Sequence, residues 1–336
     1  FFSPSFVKMD RDTDKMYLYL KNIHPATGVD HCAKSNFTKA TDLNLIIVKA
    51  NVLEIYHVTG KPEVPLVLYK HYELHGSVAD MAVVRFAQHS TDCLLLAFAE
   101  AKVSVVCFDQ STDDLHTVSI HYLEEDFLQE ERNKSIPWNV QLKVESSGRC
   151  AALFCYHRFL IVLPFTQDEE LLWADVTNPK DMKPAFIKIK EKLPVGEAVS
   201  VDLKSLGLEH VRDIVFMKEF AEPTVAVLHE QEPTWAGRLS TRSLTCVVTA
   251  MALSGLPGSN LQYPVLLRAQ SLPHDCFKLI PLDSPASGVL VLANSSVLHI
   301  SQTRTMACYI NDYGREELQA VSYPVHSAKL AGGGQL

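Results

Sequence analysis

The sequence predicts an all-β fold, a β-propeller, on three observations: a hairpin pattern that recurs five times, little helical periodicity, and apolar runs that do not alternate with polar residues. A strand covered on one face alternates, whereas a continuous apolar run means cover on both faces, which blades packed side by side provide. A large β-sandwich also shows short strands at regular spacing, but it accounts less well for runs covered twice.

The units follow in order. Leu45-Ile46-Ile47-Val48 turns through Lys49-Ala50-Asn51 into Val52-Leu53-Glu54-Ile55-Tyr56, and Leu94 to Phe98 turns through Glu100 to Lys102 into Val103 to Phe108. Ala151 to Phe154 turns at His157-Arg158 into Phe159 to Leu163, and Val289 to Leu292 turns at Asn294-Ser295 into Val297 to Ile300. Between them Thr224 to Leu228 is followed by the loop Glu230 to Gly237 and the Thr- and Val-rich stretch Arg238 to Leu253. The units begin near 45, 94, 151, 224 and 289, a pitch of about 50 to 75 residues, looser than WD or kelch repeats and therefore carrying loop insertions. Further strands at Met16 to Leu20, Met81 to Phe86, His116 to Tyr122, Val140 to Val144 and Pro264 to Arg268 supply the roughly four strands that a blade needs. Seventeen prolines break most helical windows, and only Glu124 to Arg132 reads as a short helix.

Composition bounds the function. With 336 residues, 47% of them hydrophobic and 21% charged, the chain has enough apolar material for a large core. Thirty-one Lys and Arg against 39 Asp and Glu give a net charge of -8, the wrong sign for a protein whose main task is neutralising phosphates. Apolar stretches fall short of the roughly 20 residues that cross a bilayer, so no membrane partner is expected. The start, Phe1-Phe2-Ser3-Pro4, lacks the features of a secretory leader and reads as a fragment of a non-secreted protein. Eight cysteines without a C-x-x-C spacing read as buried, reduced thiols, and the three Asn-x-Ser/Thr sequons as chance.

Motifs for catalysis are missing: there is no phosphate-binding glycine loop, dinucleotide fingerprint, zinc-protease helix, nucleophile elbow or EF-hand, and the 14 histidines stand singly. No catalytic, cofactor or metal residue is therefore assigned, and the chain is read as a non-enzyme. The acidic run Glu124-Glu125-Asp126 with Glu130-Glu131 reads as a solvated face. Two interaction candidates remain. Lys183, Lys188 and Lys190 around Phe186 could meet RNA phosphates with a base stacked on the ring, although Phe186-Ile187-Lys188-Ile189-Lys190 also reads as a lysine-protected edge strand. Trp235 and Arg238, in the turn-rich loop Glu232 to Arg238, read either as an exposed partner contact or as an indole folded back over its hairpin.

At these hairpins the chain resembles the family of the largest subunit of the cleavage and polyadenylation specificity factor, which also takes in the large subunit of the damaged-DNA-binding complex and a splicing-factor relative. The resemblance runs from about Met16 to Gln302. It is carried by His24 to Gly28, Asn44 to Tyr56, Leu94 to Leu96 with Ala101 to Val106, Asp114 to Thr117 and His121 to Glu125. It continues through Gly148 to Ala152, Glu222 to Thr224, Thr234 to Arg238, Ser271 to Cys276 and Gly288 to Val291. The first hairpin fits the damaged-DNA-binding relative equally well, and the later segments favour the polyadenylation subunit. The resemblance implies the N-terminal propeller of a multi-propeller scaffold, of the seven-bladed type, with five to six blades over 16–302. Residues 1–15 would be a disordered or fragment N-terminus and 303–336 a divergent or flexible tail, which leaves closure of the ring open. It also implies a nuclear, non-catalytic scaffold for pre-mRNA 3′-end processing. Such a scaffold holds the WD-repeat and zinc-finger subunits that read AAUAAA, works beside poly(A) polymerase and other processing subunits, and meets pre-mRNA mainly through partners. A direct RNA-binding module and an adaptor of a damaged-DNA-binding-type ubiquitin ligase are the alternatives.

Overall fold

Each of the five hairpins forms the middle of an antiparallel sheet in the computed structural model, which describes residues 24, 26–86, 89–99, 102–128, 140–165, 195–256, 261–319, 321 and 323–327. The first blade is β1 (His31–Ser35), β2 (Asn44–Lys49), β3 (Val52–Val58) and β4 (Leu66–Glu73). The second is β5 (Val78–Val84), β6 (Cys93–Phe98), β7 (Lys102–Asp109) and β8 (Asp114–Tyr122). The third is β9 (Gln141–Val144), β10 (Cys150–Cys155), β11 (Phe159–Pro164) and β12 (Val199–Asp202). The fourth is β13 (Asp213–Met217), β14 (Thr224–Glu230), β15 (Cys246–Ala252) and β16 (Val265–Leu272). The fifth is β17 (Lys278–Pro281), β18 (Val289–Leu292), β19 (Ser296–Ile300) and β20 (Thr305–Tyr309), with β21 (Val325–Ser327) added in parallel to β20. The chain is a β-propeller, with five blades among the described residues. The predicted strand Met16 to Leu20 lies outside them.

In every blade the chain runs outward strand by strand, and the first strands line up around the ring, β1 against β5, then β9, β13 and β17. Four apolar clusters fill the four successive interfaces. Alternation within a strand sends neighbours to opposite clusters: Leu94 and Leu96 face the first blade while Cys93 and Leu95 face the third. That double cover is why β6, β10, β11 and β14 are buried along their whole length. The two terminal blades differ. In β2, β18 and β19 fully buried residues alternate with half-buried ones, because only one face of each sheet has a neighbouring blade among the described residues.

A repeated polar device ties the ring together. Asp80 at β5 accepts the backbone N–H of Leu142 in β9 at 2.7 Å; Gln141 in β9 accepts that of Ile214 in β13 at 3.0 Å; Asp213 in β13 accepts that of Leu279 in β17 at 2.7 Å. Each inner strand thus satisfies an otherwise orphaned donor of the next, so blade-to-blade register is set by single side chains. Between the first two blades Asp92 plays a related part, taking Asn36 N at 2.7 Å and the Arg85 guanidinium.

Helical backbone begins at Asp126 and continues to Leu128, inside the helix expected over Glu124 to Arg132, whose remainder is outside the described residues. A seven-residue helix, Asp312–Leu318, follows β20 and is capped by the Asn311 side chain on Gly314 N at 2.9 Å. It and the strands β20 and β21 lie in the stretch that the sequence marked as a divergent tail.

Candidate functional site

Two of the six sequence-derived contact residues, Trp235 and Arg238, are placed together; Lys183, Phe186, Lys188 and Lys190 lie outside the described residues. Their loop joins β14 to β15. Pro233 follows Glu232, and Trp235 is extended (φ -139°, ψ 166°) before a 3₁₀ turn over Ala236–Arg238, closed by Arg238 N on the Trp235 carbonyl at 2.8 Å. A 3₁₀ turn eclipses residues three apart, so it lays Arg238 back over Trp235, with Cζ 5.2 Å from the indole centroid. Trp235 is 61% exposed.

The loop is held from beneath by an ion pair between half-buried Arg212 and buried Glu230. Glu230, at the end of β14 and 3% exposed, takes Arg212 Nη2 at 2.7 Å, the Thr245 hydroxyl, and the backbone N–H of Thr234 at 3.4 Å. Arg212 in turn donates Nη1 to the His274 carbonyl and, at 2.8 Å, to that of Cys276, in the connection between β16 and β17. His274 N donates to Ser243 O at 2.7 Å, and Arg242 pairs with Glu232. One guanidinium therefore locks the base of the loop to the next blade, and charge-assisted bonds of this kind are short and directional. Beneath it a hydrogen bond donated to Cys246, together with burial, holds the Cys276 thiol well above its ordinary value, so it stays un-ionised.

The same connection exposes Phe277, 51% accessible. The loop thus presents an exposed indole with a guanidinium beside it, residue types that carry binding energy at protein interfaces. Arg212 and Glu230 were not singled out from sequence, since they reach the base of the loop from an inter-blade connection and a strand end. The segment Ser271 to Cys276, prominent in the resemblance, was the one available pointer.

Among the described residues no group of three metal-ligating side chains occurs. The acidic residues Glu124, Glu125 and Asp126 are exposed, in keeping with a solvated face.

Residues 28–329 match the family model described as the RSE1/DDB1/CPSF1 first beta-propeller. The chain belongs to this family. Within the RSE1/DDB1/CPSF1 family it is similar to cleavage and polyadenylation specificity factor subunit 1 of Drosophila melanogaster, 30% identical over 86% of this chain and 21% of that protein. The subunit 1 of Arabidopsis thaliana is 31% identical over 84% of this chain and 21% of its own length. Protein cft1 of Aspergillus clavatus is 28% identical over 87% of this chain and 24% of its own length. The chain spans about a fifth to a quarter of these relatives. The family match takes in β20, the helix after it and β21 as well as the blades before them.

Proposed function

We propose that the chain is a non-catalytic scaffold propeller of the nuclear pre-mRNA 3′-end cleavage and polyadenylation machinery. It holds the WD-repeat and zinc-finger subunits that recognise AAUAAA, in company with poly(A) polymerase and other processing subunits, and pre-mRNA is engaged mainly through those partners. The observation that carries this reading is the similarity along most of the chain to proteins named as polyadenylation-factor subunit 1. Its physical support is a row of blades locked by inner-strand side chains, with an exposed indole and its neighbouring arginine anchored in one loop. A net charge of -8 suits a protein that leaves RNA contact to others.

The test is co-purification of the tagged protein from nuclear extract with RNase treatment of the eluate. Polyadenylation subunits retained after RNase are the expected result. Their loss on RNase treatment means tethering through RNA, and recovery of ubiquitin-ligase components in their place means the adaptor role; either overturns the reading.

A further inference from the structure

Charge along the chain is unevenly distributed. Between Pro233 and Asn311 stand only two of the 39 carboxylates, Asp275 and Asp283, against the cations Arg238, Arg242, Arg268, Lys278 and Arg304. Both acids are engaged elsewhere: Asp283 pairs with Lys218 at 2.9 Å, and Asp275 accepts Asn294 N at 3.0 Å. Arg242 has Glu232 and Lys278 has Asp213. Arg238 has no ion pair among the described residues. Its guanidinium carbon stands 5.2 Å from the Trp235 ring centroid, and a guanidinium without an acidic partner is the group that takes a carboxylate with two parallel bonds.

From this charge complementarity we infer that the Trp235–Arg238 platform seats an acidic segment of a partner protein, with a carboxylate on Arg238 and an apolar side chain on the ring of Trp235. The inference rests on the scaffold reading above. RNA would also stack on an indole, but one arginine at the platform of a chain of net charge -8 gives little of the multiple phosphate neutralisation on which RNA affinity depends. A stacked Trp and Arg on a pre-organised loop gives a protein interface its anchor with little ordering cost.

The experiment uses the full-length subunit co-expressed with the other polyadenylation subunits, with Ala236, exposed beside the platform, replaced by a benzoylphenylalanine photocrosslinker. The expected result is an RNase-resistant crosslink to a partner-protein peptide containing Asp or Glu. Arg238→Glu should weaken that partner's binding about thirty-fold, the loss typical of an interface anchor. Reversing the partner's carboxylate to Lys should restore binding to the Arg238→Glu protein while its melting midpoint stays that of the wild type. A crosslink to RNA, a crosslink only within the chain, a partner peptide without a carboxylate, or binding unchanged by Arg238→Glu overturns the inference and leaves the scaffold reading standing. Failure of the unaltered protein to assemble with any polyadenylation subunit overturns the scaffold reading itself, and the inference with it.

Discussion

His229 shows how one buried side chain can make this fold sensitive to acid. It is fully buried in β14, with Nε2 2.9 Å from the Thr249 hydroxyl and Nδ1 without a hydrogen-bond partner. Burial first, and then the nearby positive charge of Arg268, push its pKa from 6.5 down to about 4. The folded protein therefore keeps His229 neutral where the unfolded chain protonates it. Its contribution is complete above pH 6.5 and is lost as pH falls toward 4, by roughly 3 kcal/mol. Denaturant unfolding followed across that range should show the loss in the wild type. His229→Gln, which keeps a polar partner for Thr249 but cannot titrate, should show a flatter profile; parallel profiles would refute the assignment. No sequence pattern pointed to this residue, because a lone histidine in an apolar run carries no period.

The elements were legible where both faces of a strand are apolar. Runs such as Leu94 to Phe98 and Phe159 to Leu163 cannot be mistaken once covered twice, and all five hairpins stand within a residue or two of their expected places except β15, which starts at Cys246 after a longer loop. Strands β1, β12, β13, β17, β20 and β21 were not anticipated, being short strands of three to five residues, and the eight-residue β4 was missed because its exposed positions carry mixed polar and apolar residues. The inner-strand bonds were equally hidden, since Asp213 meets Leu279 across 66 positions of sequence. Their energetic weight can be measured. Asp213 is 2% exposed and holds both Leu279 N and Lys278 Nζ, so Asp213→Ala strands a buried donor and should cost about 2–4 kcal/mol. Asp213→Asn retains one acceptor for the N–H and should recover part of it. Equal stability of wild type and Asp213→Ala in denaturant titrations would mean that apolar packing alone sets the blade register. At the candidate site the same logic explains what was legible: Trp235 and Arg238 stand three apart in one loop, while the Arg212–Glu230 pair beneath them is assembled only by the fold.

On the scale of the whole molecule, the decisive feature is that the two terminal blades keep one face each without a blade neighbour among the described residues. On the first blade that face carries Leu45, Ile47 and Tyr56, half-buried, beside the exposed Val58, Leu66 and Leu68. The ion pair of Lys49 and Glu54, 2.8 Å apart, interrupts it. On the fifth blade it carries Leu290, Leu292, Val297 and Met306, all half-buried. Apolar sheet surface of this kind drives association when it is left to solvent, and the outer strand β4 adds an edge with four consecutive exposed residues, Leu66 to Tyr69. The 336-residue chain by itself should therefore bind a hydrophobic dye and self-associate with rising concentration, as followed by light scattering. Replacing Leu66 and Leu68 with Lys should reduce both signals. The melting midpoint should change little, because those side chains contribute little buried area. If the double Lys variant associates as strongly as the wild type, the sticky surface lies elsewhere than on the outer strand and free face of the first blade.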